Sequence, residues 1–305
     1  MTQLSACVRG IGLLGPGLDD WLSGASVLAG TTPYTPRATV LPAPAALPAA
    51  ERRRTGAVVR LALAIGFEAA SRAGANPAEL PTVFSSSGGD GSNCHEICQT
   101  LATGDRQLSP TRFHNSVHNA ASGYWSIAAG ATPPSSVLCA FDATFGAGLL
   151  EALTQVVVER TSVLLVAYDA GYPDPLGTVR PIPEAFGVAM VLAPLPGRVL
   201  AHGSGPASGR VLVPACGPVR APAAAAEARI VAAPAAAATY TIISVALTEA
   251  PADSMLDPRL EALRATIPAA RGLPLLSKIA RHETGGVVID YLDNLRIAIE
   301  VSACG

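Results

Sequence analysis

The chain alternates short apolar runs with longer segments in which apolar residues recur at helical spacing. Residues 162–168 form a continuous apolar run, which is typical of a strand buried on both faces of a parallel sheet. Residues 52–74 carry apolar side chains at helical intervals and predict a buried helix, and residues 142–161 predict a long amphipathic helix. This alternation predicts an α/β fold whose sheet is covered by helices on both faces.

The same pattern predicts the remaining elements and a division of the chain into three parts. Residues 1–200 form the main domain, residues 201–239 are an Ala/Pro-rich connection, and residues 240–305 form a strand-helix-hairpin segment that packs on the same domain. The further predicted strands are 8–14, 82–85, 135–141, 186–195, 240–247, 286–291 and 295–301, and the further helices are 94–101, 115–129, 257–266 and 273–281.

Composition excludes several classes of protein. Hydrophobic residues make up 50% of the chain and charged residues 14%, which excludes a disordered protein. A net charge of -2 supplies no basic field for nucleic acid or an anionic membrane. We expect neither a secretory signal nor membrane insertion, because apolar runs are interrupted before they reach spanning length. The 6 cysteines are scattered without a disulfide framework, so a cytoplasmic location is expected.

The junction between strand 135–141 and helix 142–161 is where chemistry is expected. A residue at this bend lies at a helix N-terminus, where unpaired N–H groups and the helix dipole favour negative charge. A cysteine there has a lowered pKa and becomes a thiolate nucleophile. The residue present is Asp142, which is also a good helix N-cap.

The segment before the junction resembles the β-ketoacyl synthase family of the thiolase fold. In that family an Asn, two Gly and a Pro precede the active-site strand at the spacing seen here for Asn119, Gly123, Gly130 and Pro134. The family has a cysteine at the bend, where this chain has Asp142. The resemblance covers about residues 7–195 and includes Gly10-Ile11-Gly12, Arg53-Arg54, Ser87-Gly88-Gly89, Arg180-Pro181 and Gly187-Val188.

The resemblance implies a thiolase-like fold, with a mixed sheet covered by helices on both faces. The implied fold consists of the N-terminal half of a ketosynthase plus a short C-terminal αβ segment. The second half of a synthase supplies two catalytic histidines and a lysine in glycine-rich loops. Downstream of Asp142 this chain has only His202 and His282, neither in such a loop. The chain therefore resembles the shortened chain length factors that accompany active ketosynthases in bacterial aryl polyene (xanthomonadin-like) and polyketide pathways.

This resemblance implies a subunit that does not condense acyl groups alone and needs no cofactor. Its partner would be an active ketosynthase, in a heterodimer formed through strand residues 135–140, and an acyl carrier protein would reach it through the complex. For Asp142, a helix cap and a functional carboxylate both remain open. The candidates for the acyl tunnel or partner interface are Phe113, Asn119, Trp125, Ser135, Val137, Cys139, Phe141 and Phe145.

A bulky tunnel residue such as Trp125 or Phe113 would limit product length, although ordinary core packing explains either aromatic side chain as well. Shrinking a true gate should lengthen the product, and an unchanged product spectrum would count against this hypothesis.

Two other readings compete with the subunit interpretation. Cys94, His95, Glu96 and Cys98, with His114 and His118, offer metal ligands, but no second cysteine pair follows and no metal site is expected. A stand-alone acyltransferase or condensing enzyme would need a cysteine such as Cys139, whose side chain should point away from the face of Asp142 by strand alternation.

A phosphate-binding loop is not indicated. The Ser87–Gly91 stretch lacks the lysine and spacing of a phosphate loop.

Overall fold

The computed structural model describes residues 4–104, 107–196 and 240–304. The described residues up to Leu195 and from Tyr240 onward form one compact unit. The predicted connection 201–239 lies outside the described residues.

Eight strands of the described chain form a single mixed sheet in the order β3-β2-β4-β5-β1-β6-β8-β7. Strands β3, β2 and β4 are parallel to one another, and each of the other neighbouring pairs is antiparallel. The strands are β1 (Leu4–Leu14), β2 (Thr82–Ser85), β3 (Ser135–Leu138), β4 (Val163–Asp169), β5 (Phe186–Ala193), β6 (Tyr240–Thr248), β7 (Gly285–Leu292) and β8 (Leu295–Cys304).

Helices cover both faces of this sheet, as the sequence pattern predicts. Helices α3 and α6 pack with one core, and helices α7, α9 and α10 pack with the other. The helices are α1 (Trp21–Leu28), α2 (Ala49–Arg52), α3 (Ala57–Ala73), α4 (Gly91–Ala102), α5 (Pro110–Asn115), α6 (Ala120–Ala129), α7 (Thr144–Glu159), α8 (Leu176–Val179), α9 (Pro258–Thr266) and α10 (Leu273–Ala280).

Strand β4 shows why the sheet needs cover on both sides. All seven of its residues are buried, and their side chains alternate between the two cores: Leu165 faces one and Val166 the other. A continuous apolar run of this kind is stable only between two layers of helices.

Strand β1 approaches helix α3 unusually closely because two of its residues are glycines. A Cβ atom on Gly12 would lie 2.0 Å from the backbone oxygen of Ile65, and one on Gly10 would lie 2.3 Å from the backbone oxygen of Ala69. The absence of side chains at these positions sets the distance between the sheet and its principal helix.

The structure differs from the sequence prediction around residues 115–129. The helix expected over 115–129 begins only at Ala120, as α6; α5 ends at Asn115, and residues 116–119 form a turn between the two. Polar contacts hold this turn in place: the Asn115 amide donates to the Arg54 carbonyl at 2.6 Å, and His118 Nε2 lies 2.9 Å from the Ser86 carbonyl oxygen. These long-range contacts compete with continued helix, and an apolar pattern along the chain does not reveal them.

The two outer edges of the sheet differ. At β7, the backbone N–H of Asp253 donates to the Val288 carbonyl, and the Val288 N–H donates to the Asp253 carboxylate, both at 2.8 Å. Strand β3 is the other edge, and within the described ranges no strand pairs with its outer side. An edge of free N–H and C=O groups is a surface for pairing with another chain.

Residues 141–159, which include α7, are long and apolar enough to cross a membrane by length and composition alone. In this fold α7 packs on β1, β2 and β4, and Phe145, Leu149 and Leu153 are fully buried in one core. Its composition is therefore that of a core helix.

Candidate functional site

The bend between β3 and α7 is built by hydrogen bonds of Thr144. Its hydroxyl donates to the Phe141 carbonyl at 2.5 Å and accepts from the Ala140 N–H at 3.1 Å. The Ser85 hydroxyl in turn donates to the Thr144 carbonyl at 2.6 Å. One turn of 3-10 helix, Phe141–Ala143, makes the reversal before α7 begins. The predicted bend is present, and its strand is the edge strand β3.

Asp142 does not cap helix α7. The helix begins at Thr144, its N-cap position is Ala143, and no side chain bonds to the N-terminal N–H groups from that position. The expectation that the helix starts at residue 142 was therefore wrong by two residues, and so was the helix-cap interpretation of this carboxylate. The intervening 3-10 turn, held by the Thr144 hydroxyl, moves Asp142 out of the capping position.

The Asp142 carboxylate is bound by two arginines. Arg180 Nη2 donates to one oxygen at 2.8 Å, and Arg271 Nη2 donates to the other at 3.1 Å. The side chains of Arg180 and Arg271 are 20% and 19% exposed, so most of each lies inside the fold. Charge-assisted bonds of this kind are stronger than neutral ones, and here they fix the orientation of a carboxylate whose side chain is 40% exposed.

Phe141, the residue before Asp142, is exposed. Its ring is 62% exposed, and the guanidinium carbon of Arg180 lies 3.8 Å from the ring centroid. Its backbone has a φ of 50°, a conformation that is rare for a bulky residue. The bend thus places a half-buried acidic side chain and an exposed aromatic side chain against the same arginine, Arg180.

A groove of about 690 Å³ lies beside the bend. It is lined by residues 140–143, by Arg271 and by residues 290–296 at the tip of the β7–β8 hairpin. The C-terminal segment therefore completes the surroundings of Asp142.

Asp169, at the end of β4, joins the loop after β2 to the C-terminal segment. Its carboxylate accepts from the Ser87 N–H at 2.8 Å, from the Ser87 hydroxyl at 2.7 Å and from the Ala269 N–H at 2.8 Å. Burial raises the pKa of Asp169 to about 6, although the hydrogen bonds and nearby Arg180 act in the opposite direction. The Ser87 carbonyl also accepts from Cys139 Sγ at 3.1 Å, so this loop contacts the start of the bend.

Comparison with known proteins gives the family. The family model described as "Beta-ketoacyl synthase, N-terminal domain" matches residues 29–209, more than half of the chain. The chain belongs to the β-ketoacyl synthase family. A comparison with curated protein sequences found no match.

Solved ketosynthase structures share the fold. A structure of the ketosynthase ApeO in complex with its chain length factor ApeC, from Xenorhabdus doucetiae, matches with a TM-score of 0.64 and 20% identity over 97% of this chain and 99% of that chain. The ishigamide ketosynthase/chain length factor matches with a TM-score of 0.62 and 12% identity, over 99% and 100%. A β-ketoacyl synthase from Burkholderia phymatum STM815 matches with a TM-score of 0.50 and 12% identity, over 64% and 60%. The predicted thiolase-like fold is confirmed.

The structure separates the candidate residues of this β-ketoacyl synthase domain into two groups. Trp125 is 1% exposed and packs against Phe67 and Phe84, and Phe145 is 0% exposed, so both belong to the cores and not to the surface of this chain. The candidates that reach the surface of the described chain, fully or in part, are Phe113, Asn119, Ser135, Val137, Cys139 and Phe141.

The candidate metal ligands do not converge. Among the described residues, no group of three or more His, Cys, Asp or Glu side chains could hold a metal ion. Cys94 and Cys98 are exposed on α4, and Glu96 pairs with Arg112. His118 contacts the Ser86 carbonyl, and the ring of His114 packs edge-on against Tyr124.

Sequence reasoning missed most of what surrounds Asp142. The sequence pattern gives Arg180 and Thr144 only as members of family-like segments and assigns Arg271 no role. Asp169 carried a usable signal, since a carboxylate directly after a fully apolar strand is expected at the end of a buried strand.

Proposed function

We propose that this chain is a chain length factor, a β-ketoacyl synthase-like subunit that does not condense acyl groups itself and pairs with an active ketosynthase. We place it in the cytoplasm, in an aryl polyene or related polyketide or fatty-acid-type pathway. The observation that carries the proposal is Asp142, held by two arginines at the bend where a condensing enzyme needs a thiol.

The chemistry of condensation supports this assignment. The growing chain must be held as a thioester, and donors must stabilise the charge that develops as the malonyl group loses carbon dioxide. A carboxylate forms only a reactive anhydride and is a poor acyl carrier. Within the described part of the chain, Asp142 is hydrogen-bonded to Arg180 and Arg271, and neither is the imidazole that a condensing site uses.

The edge strand β3 supports a paired state. Its outer N–H and C=O groups would hydrogen-bond to the corresponding strand of a ketosynthase, which would continue the sheet across both chains. Solved complexes of similar fold contain a ketosynthase together with a chain length factor. The acyl tunnel would follow this shared interface, beside the exposed ring of Phe113, and an acyl carrier protein would deliver substrates to the complex.

Co-expression tests the proposal directly. The chain is produced together with a full-length ketosynthase of the same organism, and a tag on one protein is used for purification. We expect a one-to-one complex that condenses acyl groups, while this chain alone does not. Recovery of the chain alone, with turnover of its own, would contradict the proposal.

We expect Asp142→Cys to leave the isolated chain without condensing activity, because a thiol at the bend lacks the histidines with which it must act. Removing such a catalytic unit costs about 10⁶-fold in rate, so product should stay at background. The measurement is mass spectrometry of acyl carrier protein after incubation with acyl and malonyl donors. An active ketosynthase is the positive control, and Asp142→Asn is the matched variant without a thiol. Product from Asp142→Cys but not from Asp142→Asn would show that the site retains catalytic machinery.

A further inference from the structure

Phe141 combines two properties that are individually unfavourable. Its φ of 50° places a bulky side chain in the left-handed region, which glycine would occupy without strain. Its ring is also 62% exposed to solvent, so in the isolated chain the strained residue fills no core. Strained residues persist where the surrounding structure fixes them, and they concentrate at functional sites.

The surroundings fix the conformation of Phe141 from two sides. The Thr144 hydroxyl donates to its carbonyl oxygen at 2.5 Å, which holds the backbone. The Arg180 guanidinium lies 3.8 Å from the ring centroid, which holds the side chain. Arg180 is itself anchored, since it is 20% exposed and donates to Asp142 at 2.8 Å. Asp142, Arg180 and Phe141 therefore form a connected series that ends in a fixed, outward-facing aromatic ring.

The position of this ring indicates what covers it. Phe141 follows the end of edge strand β3 by three residues and borders the groove beside the bend. A strand that pairs with β3 and continues beyond Leu138 would pass the bend that carries Phe141. Aromatic residues held rigidly before binding lose little conformational entropy on association, and such residues carry much of the binding energy of interfaces.

We propose that Phe141 is the anchor residue by which this chain binds its ketosynthase, and that Asp142 and Arg180 are positioning residues that hold its ring. The ring enters an apolar pocket of the ketosynthase next to the strand paired with β3. This inference rests on the proposed function, since it requires that a ketosynthase is the partner. It assigns the acidic residue at the bend a role in assembly.

The decisive variant is Phe141→Gly. Glycine relieves the strain at φ 50° and removes the ring, so the melting temperature of the isolated chain should stay the same or rise by about 2 °C. The dissociation constant of the complex with the ketosynthase should nevertheless be at least about 30-fold higher, as expected for loss of an anchor residue. The control is Leu256→Ala, which truncates a side chain that is 85% exposed in the C-terminal segment.

The positioning role is tested by a double-mutant cycle. Asp142→Asn keeps the shape of the side chain and removes the charge that anchors Arg180. When residue 141 is Phe, this change should therefore raise the dissociation constant of the complex several-fold. In the Phe141→Gly background the same change should have no effect on the complex, because there is no ring left to position. Equal effects in both backgrounds would show that Asp142 acts independently of Phe141.

The outcomes separate the two proposals. If the wild-type chain forms no complex with the ketosynthase, the proposed function fails and this inference fails with it. If the wild-type complex forms and Phe141→Gly binds with unchanged affinity, the anchor role is refuted and the proposed function stands. A fall in melting temperature of more than about 4 °C for Phe141→Gly would instead identify Phe141 as a structural residue.

Discussion

Gly12→Ala should lower the free energy of unfolding by about 3 kcal/mol or more, at the upper end of the range for overpacked cores. The added Cβ would lie 2.0 Å from the backbone oxygen of Ile65, a distance that real Cβ contacts essentially never show. The obstacle is the main chain of α3 and not a side chain with other rotamers available. The strand must therefore move away from its principal helix, with loss of packing along both. Urea unfolding followed by far-UV circular dichroism measures the loss.

Gly123→Ala is the matched control for this experiment. Gly123 is exposed on α6, and a Cβ there would meet no heavy atom within 4 Å. Alanine is favoured over glycine inside helices by about 1 kcal/mol, so this variant should be as stable as the wild type or more stable. A loss for Gly123→Ala as large as for Gly12→Ala would show that close approach to α3 is not what makes Gly12 necessary.

The second large effect is a pH dependence that should disappear in Asp169→Asn. Burial raises the pKa of Asp169 to about 6 in the folded chain, from an ordinary value of 3.8. Between these values the folded state binds more protons than the unfolded state, so stability contributed by this group falls as the pH rises. The difference between these two pKa values corresponds to about 3 kcal/mol. Relative to Asp169→Asn, the free energy of unfolding of the wild type should rise by up to about 3 kcal/mol as the pH falls from 7 to 4.

The difference in the free energy of unfolding between the wild type and Asp169→Asn isolates the contribution of Asp169 from that of other titratable groups. Asp20, Asp257 and Glu261 have pKa values lowered by hydrogen bonds to Ser23, Arg259 and Arg264 respectively, and they reduce stability on acidification in both proteins. Urea unfolding at several pH values between 4 and 7.5 gives the comparison. Asp253→Asn, which alters an exposed carboxylate that also accepts a backbone N–H, is the control. A wild-type minus Asp169→Asn difference that stays constant over this range would show that the Asp169 pKa is not raised.

The sequence predicts those parts of the fold that the local pattern of apolar residues determines. The apolar character of β4 follows from burial on both faces, and β2 occupies the predicted residues 82–85. Periodicity also locates α3, whose buried face is apolar at helical intervals. In each case the side chains that decide the structure are close together in the sequence.

The environment of Asp142 was not predictable in the same way. Its two cations are 38 and 129 positions away in the chain, and neither belongs to a pattern that relates it to the bend. The break between α5 and α6 likewise depends on contacts of Asn115 and His118 with distant backbone groups. The position of the candidate site therefore follows from one predicted strand and one predicted helix. The charged side chains around Asp142 could be identified only in the folded structure.

The unequal edges of the sheet have a consequence for stoichiometry. If both ends could accept another strand, successive copies would add without limit and produce a fibre. At β7 the Asp253 segment occupies the hydrogen-bonding groups of Val288, whereas no strand of the described chain pairs with the outer side of β3. If a ketosynthase strand pairs with β3, as we propose, that strand uses the edge that lacks a partner, and no further chain can add there.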